Sequence, residues 1–158
     1  MILEAWLAAV CLFGASLYLG LGYSLVILQF PGAVGTTRAA NFPERFGDPV
    51  RRAVAIFTVL SIVMAIAGIW LTVLEWDDGG RRWFAVVFSA MLVAATAFTQ
   101  LAIVPVNHQL YEEVDDEHRF RSLLTRWVRL NVIRYGLWIV EWLGITGWFV
   151  AVVSGGSS

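Results

Sequence analysis

The sequence predicts an all-α integral membrane protein, a four-helix bundle with a short amphipathic helix before the fourth membrane span. The chain of 158 residues is 59% apolar with a mean hydropathy of +0.72, whereas soluble domains are roughly 45–50% apolar. Only 15% of its residues are charged. Four apolar segments each reach the length of about 20 residues that a helix needs to cross the hydrocarbon core. Their continuous hydropathy favours helices over the alternating strands of a barrel.

The four predicted spans form a single domain covering residues 1–158. The first three spans carry no charge, and the fourth is apolar except for Arg134 and Glu141. The first span follows Glu4 and lacks the basic start of a signal peptide, so we expect an uncleaved helix. The spans cover residues 5–28, 53–74, 83–106 and 132–153.

Turn and capping signals define the connections between the spans. Residues 77–80, Asp-Asp-Gly-Gly, predict a tight turn that makes the second and third helices antiparallel neighbours. Asp48 followed by proline predicts the start of the second helix. Asp115 or Asp116 would cap a helix that begins near Glu117. That helix is amphipathic, and it either lies along the membrane interface or runs straight into the fourth span.

Charge and cysteine content exclude several classes of function and predict an orientation. The formal charge of −1 excludes a nucleic-acid binder, and the single cysteine excludes an internal disulfide or a cysteine metal cluster. Eight of the eleven basic residues, all arginines, lie before the second and fourth spans. Because arginines concentrate on the cytoplasmic side, we expect both termini outside the cytoplasm, in a bacterial inner membrane. A homo-oligomer remains possible.

One face of the fourth helix carries the strongest functional signal. A charged side chain at the centre of a bilayer costs roughly 2.5–3.5 kcal/mol, so Arg134 and Glu141 should face the interior of the bundle. They form either an ion pair that fixes packing or part of a polar pocket. Residues spaced by three and four share this face: Trp127, Asn131, Arg134, Trp138, Glu141, Ile145 and Trp148.

The third helix carries a matching polar stripe of Thr96, Gln100 and Asn107. The third and fourth helices are predicted to be antiparallel, so depth in the membrane can be compared between them. Asn107 should meet Arg134, and Gln100 should meet Glu141, each pair being about 10.5 Å from the other along the axis. These groups either hydrogen bond between helices or line a ligand site.

The first helix and the acidic loop offer weaker candidates. Glycines of the first helix indicate close helix packing, and the alternative interpretation places Tyr18 and Gln29 in the wall of the pocket. His108 and Glu112 are weak candidates for metal ligands, since an acidic run is usually a solvated loop. We therefore predict no metal and no cofactor, while leaving a metal or haem open.

Two short motifs resemble the DUF1772 family, which is also called anthrone oxygenase-like. Pro-Val-Asn at residues 105–107 matches its P-x-N, and the segment WVRLNVIR at 127–134 matches its W-x3-N-x2-R. The resemblance implies a small four-helix membrane protein and, for some members, an oxidoreductase acting on aromatic polyketide-like substrates. It places the motif residues at Pro105, Asn107, Trp127, Asn131 and Arg134.

Two functional hypotheses follow. In the first, the chain is an oxygenase that oxidises a flat, apolar, anthrone-like aromatic with O2 and without a cofactor. Glu141 would be the base, Arg134 with Asn107 and Asn131 would stabilise the anion, and Trp127 and Trp138 would stack on the substrate. In the second, it is a non-catalytic subunit that binds a lipid, a quinone or a partner membrane protein, with no open pocket between the third and fourth helices.

Overall fold

Four long helices make up the part of the protein that the structure describes. The computed structural model describes residues 2–111 and 116–155. Each helix contains a segment long and apolar enough to cross a membrane, so the predicted multi-pass helical bundle is confirmed. Helices α2 (Asp48–Leu74) and α4 (Glu117–Gly155) are continuous.

The other two helices contain a π-helical segment. Helix α1 runs from Ile2–Tyr23 through the π segment Ser24–Gln29 into the turn Phe30–Ala33. Helix α3 runs from Gly79–Phe98 through the π segment Thr99–Ile103 into Val104–Tyr111. Between α1 and α2, the chain forms a 3-10 turn, Ala39–Asn41, and a short π segment, Pro43–Gly47.

The helices are arranged as an antiparallel ring in which each contacts its two neighbours in sequence and α4 closes on α1. Close approaches occur where glycine removes a side chain: Gly14 lies against Met64, and Gly22 lies against Tyr135. We call the end of the bundle that holds Ile2 and Gly155 the terminal end. The opposite end, which holds residues 34–47, is the loop end.

The amphipathic segment before the fourth span is not a separate helix. Of the two alternatives, the structure has the continuous one, since Glu117–Gly155 is a single helix of 39 residues. Its length is about 58 Å at 1.5 Å per residue, against a hydrocarbon core of about 30 Å. One end of α4 therefore extends well beyond the core of the bilayer, and the arginine-rich composition of residues 119–129 identifies this as the loop end.

The structure has two hydrophobic clusters in its described interior, and Asn131 and Arg134 of α4 lie between them at a level that we call the polar layer. The terminal-end cluster is built from all four helices and includes Cys11, Met64, Phe88, Trp138 and Trp148. The loop-end cluster draws on α1, α3 and α4, and the loop supplies Phe42 and Phe46 in place of α2. Its buried members are Phe30, Phe42, Phe46, Ile103, Val106, Leu110, Phe120, Leu124 and Trp127.

The π segments shift the buried face of α1 and of α3 by one residue. Buried positions in α3 follow a spacing of three and four up to Ala95 and again from Ile103, but eight residues separate these two. A regular helix would place the next residue of that face after seven. The same interval of eight separates Gly22 from Phe30 in α1. Each π segment thus inserts one residue at the level of the polar layer.

The predicted turn between α2 and α3 begins α3 with a side-chain cap. Asp78 Oδ1 accepts hydrogen bonds from the backbone N–H groups of Gly80 (3.1 Å) and Arg81 (2.9 Å), as expected for an N-cap residue. The Arg81 guanidinium also contacts Asp78 Oδ2 at 2.8 Å and the buried Glu75 at 3.2 Å. At the other end, α2 begins at Asp48, and Asp116 caps α4 by accepting from the backbone N–H of His118.

Acid should weaken the cap of α3. The backbone N–H and the guanidinium of Arg81 hold the pKa of Asp78 below its ordinary value. A carboxylate whose pKa is lower in the folded state stabilises the fold above its unfolded pKa, and the contribution is lost as the pH falls through the folded value. We therefore expect Asp78→Asn to lower the melting temperature in detergent at about pH 7, and to lower it progressively less as the pH falls below about 3.9. The neighbouring exposed Asp77→Asn is the control, and an Asp78→Asn penalty independent of pH would contradict the prediction.

Candidate functional site

A chain of hydrogen bonds crosses the polar layer from α3 to α4. The Trp127 indole Nε1 donates to Asn107 Oδ1 at 2.6 Å. One turn along α4, Asn131 Nδ2 donates to the backbone carbonyl of Trp127 at 2.8 Å, and Arg134 Nη2 donates to Asn131 Oδ1 at 2.5 Å. Asn107 is thus linked to Arg134 through Trp127 and Asn131 rather than by the direct contact that the sequence suggested. The chain fixes the orientation of Arg134.

Trp127 is held in the loop-end cluster and offers no free ring face. It is 2% exposed, and its ring centroid lies 5.2 Å from that of Phe30, 5.8 Å from Phe42 and 5.5 Å from Phe46. Three phenylalanine side chains therefore occupy the surroundings on which a substrate would have to stack. The indole N–H and the backbone carbonyl of Trp127 are hydrogen bonded to Asn107 and Asn131.

Arg134 lies over the ring of Trp138 and keeps unused hydrogen-bond donors. Its guanidinium carbon is 4.6 Å from the ring centroid, a cation–π distance. Among the described residues, its buried Nε has no hydrogen-bond partner. The side chain as a whole is only partly buried. Arg134 can therefore still donate to an anionic group that approaches it.

Tyr18 of α1 contacts Trp138, next to the polar groups of α4. Its ring is stacked on Trp138, with centroids 5.1 Å apart and planes 11° from parallel. Its hydroxyl donates to the Phe57 carbonyl at 3.0 Å and also contacts Ser61 Oγ. The Tyr18–Trp138 pair thereby connects α1, α2 and α4, and it forms a flat aromatic wall beside Arg134.

Glu141 is completely buried without a partner. The side chain is 0% exposed, and within the described residues neither carboxyl oxygen has a hydrogen-bond partner. Cys11 and Tyr18 of α1 are the titratable groups near it apart from those of its own helix. Arg134 lies two turns away on the same helix, and the described residues include no ion pair between the two. An unpaired buried carboxyl is costly, so the site has a physical feature that packing alone does not explain.

Two predicted members of the site lie elsewhere. Gln100 is exposed, and the described part of the chain shows no hydrogen bond between it and Glu141. Gln29 is also exposed, and its Nε2 donates to Ser24 Oγ of its own helix at 3.1 Å. In α1 the extra residue of the π segment puts Phe30, rather than Gln29, on the buried face. In α3 the predicted stripe faces outward before the π segment begins, since Thr96, which shares a face with Gln100, is exposed as well. The polar stripe of α3 therefore reaches the site only through Asn107.

A comparison with family models identifies the chain. The model of the anthrone oxygenase family matches residues 46–141, more than half of the sequence. The chain belongs to the anthrone oxygenase family. The resemblance of the Pro-Val-Asn and WVRLNVIR motifs to this family, DUF1772, is thus confirmed. No curated protein and no solved structure matches the chain.

The family match includes most of the site. It contains Asn107, Asn131, Arg134 and Trp138, and it ends at Glu141. It begins within the loop, at Phe46, so Tyr18 and Gln29 lie outside it. In this member of the anthrone oxygenase family, the polar groups of the site therefore lie within the matched residues 46–141. Helix α1, outside the match, adds the aromatic side chain of Tyr18.

The metal candidates do not come together in the described structure. His108 is exposed, and Glu112 lies outside the described residues. Residues 2–111 and 116–155 contain no group of three or more His, Cys, Asp or Glu side chains placed to hold a metal ion.

Three residues that contribute to the site were not predicted from the sequence. Phe42 and Phe46 close the loop end of the site against Trp127, and Ser61 anchors the Tyr18 hydroxyl. The spacing of four between Phe42 and Phe46 was the available signal for a shared face. That spacing could not predict that the shared face packs against Trp127, about eighty residues further along the chain.

Proposed function

We propose that this member of the anthrone oxygenase family is a membrane-embedded oxygenase that uses O2 to oxidise a flat, apolar, anthrone-like substrate. The observation that carries the proposal is Glu141, a carboxyl with 0% exposure and no partner in the described structure. Ionisable groups inside a membrane bundle are expensive and usually functional. A base that removes a proton from a buried apolar substrate needs such surroundings.

The proposed reaction converts an activated methylene to a ketone. The base removes one proton, and the resulting carbanion is stabilised as an aromatic enolate. The carbanion transfers an electron to O2, and recombination of the two radicals forms a C–O bond and a hydroperoxide. Loss of the second C–H proton and cleavage of the O–O bond then give the ketone. One atom of O2 stays in the product and the other leaves as water, so atoms and electrons balance without a further reductant.

The two charged residues suit the two ends of such a substrate. In an anthrone, the carbonyl and the methylene lie across the central ring, so the cation and the base must stand apart. Arg134 and Glu141 are seven residues apart on α4, about 10.5 Å along the axis. We propose that Glu141 takes the proton and that Arg134, held by Asn131, stabilises the enolate oxygen. The edge of the Tyr18–Trp138 pair would contact the rings, since Tyr18 and Arg134 already lie against the Trp138 ring.

No cofactor is required by this proposal. The enolate of an anthrone reacts directly with O2, and the protein supplies a base, a cation and a dry site. An apolar aromatic substrate partitions into the membrane, and it would approach at Arg134, the partly exposed member of the site.

The proposed membrane orientation follows from the arginines. The loop end carries Arg38, Arg45 and the basic segment of α4, so we propose that it faces the cytoplasm of a bacterium. Both termini would then lie outside the cytoplasm, with the polar layer near the inner boundary of the membrane.

Arg134→Gln tests the proposal. Purified protein is incubated with an anthrone under air, and O2 uptake and quinone formation are measured. We expect turnover by the unaltered protein, none under argon, and a loss of about 10²–10³-fold in Arg134→Gln, as for removal of an oxyanion donor. Arg119→Gln, an exposed arginine of the same helix, should keep full activity. Equal rates for the two variants would contradict the role of Arg134.

One observation favours the second candidate, a non-catalytic binding subunit. At Gly144, α4 packs so closely on α3 that an added Cβ would lie 2.9 Å from the backbone nitrogen of Phe88. The two helices are therefore closed against each other at that level. Failure of the well-folded protein to consume O2 with any anthrone would favour this candidate.

A further inference from the structure

The exposed face of α4 changes from basic to apolar within one helical turn. Positions spaced by four and three share this face from the loop end into the membrane. Toward the loop end they are polar or basic, and beyond Arg129 they are apolar. The face comprises Ser122, Arg126, Arg129, Ile133, Gly136, Val140 and Leu143, all of them exposed.

The basic part of this face forms a groove. Within the described residues, two of the arginines that line it have no hydrogen-bond or ion-pair partner. This groove is a shallow, open depression of about 540 Å³ between side chains of α4 alone, and it is lined by His118, Arg121, Ser122, Thr125, Arg126 and Arg129. Arg121 is engaged, because it pairs with Glu117 at 2.9 Å and donates to the Val34 carbonyl at 3.1 Å. In the described part of the chain, Arg126 and Arg129 make no hydrogen bond or ion pair. Their guanidinium groups are free to bind an anion, and phosphate suits the guanidinium geometry.

The apolar part contains a notch the width of one side chain. Gly136 has nothing within 4 Å of the position a Cβ would occupy. The flanking Ile133 and Val140 are 52% and 41% exposed. The notch begins two turns from Arg129 on the same face. It therefore forms a shallow track along which an acyl chain can lie.

We propose that this face binds an anionic phospholipid, with the phosphate at Arg126 and Arg129 and one acyl chain along Gly136. Basic clusters next to a membrane span bind anionic lipid headgroups through charge attraction. A membrane lipid is the occupant that combines an anionic head with an apolar tail at this depth. The site lies on the outside of the bundle, so it is separate from the polar layer and does not depend on the proposed oxidation.

The test is native mass spectrometry of the full chain in a neutral detergent, with lipid retention measured against lipid concentration. The lipids are dioleoylphosphatidylglycerol and the zwitterionic dioleoylphosphatidylcholine. We expect preferential retention of phosphatidylglycerol and a loss of affinity of about tenfold or more in the Arg126→Gln/Arg129→Gln double variant. Arg38→Gln, an exposed arginine of the loop between α1 and α2, is the control and should bind like the unaltered protein. Equal retention of the two lipids, or unchanged binding by the double variant, would overturn the proposal.

Two further measurements separate other occupants. Gly136→Leu fills the notch and should weaken phosphatidylglycerol binding, whereas unchanged binding would overturn the acyl-chain contact. Inorganic phosphate at the same concentration should not raise the melting temperature, and a rise equal to that with phosphatidylglycerol would overturn the lipid as occupant. A dimer in the mass spectrum that Gly136→Leu abolishes would instead assign the face to a second copy of the chain.

Discussion

Glu141→Gln is expected to give a folded protein that oxidises an anthrone about 10²–10⁴-fold more slowly than the unaltered protein, the usual contribution of a general base. The amide has nearly the shape of the carboxyl but cannot accept the substrate proton. The substitution breaks no ion pair, since neither Glu141 oxygen has a partner in the described structure. The melting temperature in detergent should therefore change little. Both quantities are measured on the same purified sample.

Glu75→Gln provides a matched control for burial. Glu75 is 3% exposed, but its carboxylate lies 3.2 Å from Arg81 at the terminal end of the bundle. Its substitution should lower the melting temperature and leave turnover per folded molecule unchanged. Glu141→Leu should raise the melting temperature and abolish turnover, because it replaces an unsatisfied buried polar group with an apolar one. Full turnover by folded Glu141→Gln would remove the base from the mechanism.

The interior face of α4 could be predicted because the helix is continuous. From Phe120 to Trp148 the interior positions keep the spacing of three and four, and of these only Arg134, between Asn131 and Trp138, is partly rather than fully buried. Asn131, Trp138 and Glu141 therefore lie where the sequence pattern predicts them. The hydropathy of the chain likewise predicted four spans, because lipid leaves the backbone few alternatives to a helix.

The same reasoning failed in α1 because a π segment cannot be read from the spacing of the residues. The spacing rule assumes 3.6 residues per turn, so the residue inserted by Ser24–Gln29 puts Phe30 rather than Gln29 on the buried face. In α3 the polar stripe was assigned to the wrong face, since Thr96 is exposed before the π segment begins, as is Gln100 within it. Such π segments are frequent at functional sites. Here both lie beside the polar layer, at the level where α1 and α3 pack against α4.

The relation between Arg134 and Glu141 could not be decided from spacing. Long side chains on one helix can turn toward each other or toward neighbouring helices. In the structure, Asn131 and Trp138 hold Arg134, so it does not reach Glu141 two turns away. The direction of the Arg134 side chain depends on Trp138, because the guanidinium lies over the face of its ring. The Trp138 ring in turn stacks on Tyr18 of α1. Tertiary contacts of this kind are invisible to a pattern within one helix.

Gly144→Ala adds a single carbon atom, yet it is expected to lower the melting temperature in detergent strongly. The new Cβ would lie 2.9 Å from the backbone nitrogen of Phe88 and 3.3 Å from the carbonyl oxygen of Phe84. Backbone atoms of a packed helix cannot rotate away, so α3 and α4 must separate over the length of their contact. Overpacking of this kind typically costs about 1–3 kcal/mol. Small residues that allow close helix approach are a main source of stability in membrane bundles.

Substitutions of two other glycines of α4 are expected to change the melting temperature by graded amounts, because an added Cβ would meet different surroundings at each. At Gly147 an added Cβ would meet the ring of Phe84, a side chain that can move, whereas at Gly136 it would meet nothing within 4 Å. Alanine is favoured over glycine inside a helix by about 0.8–1.0 kcal/mol, so Gly136→Ala should raise the melting temperature in detergent. Gly147→Ala should fall between Gly136→Ala and Gly144→Ala. If Gly144→Ala melted at the same temperature as Gly136→Ala, the backbone contact at Gly144 would not determine how closely α3 and α4 pack. The closed interface that favours a binding subunit over an enzyme would then lose its support.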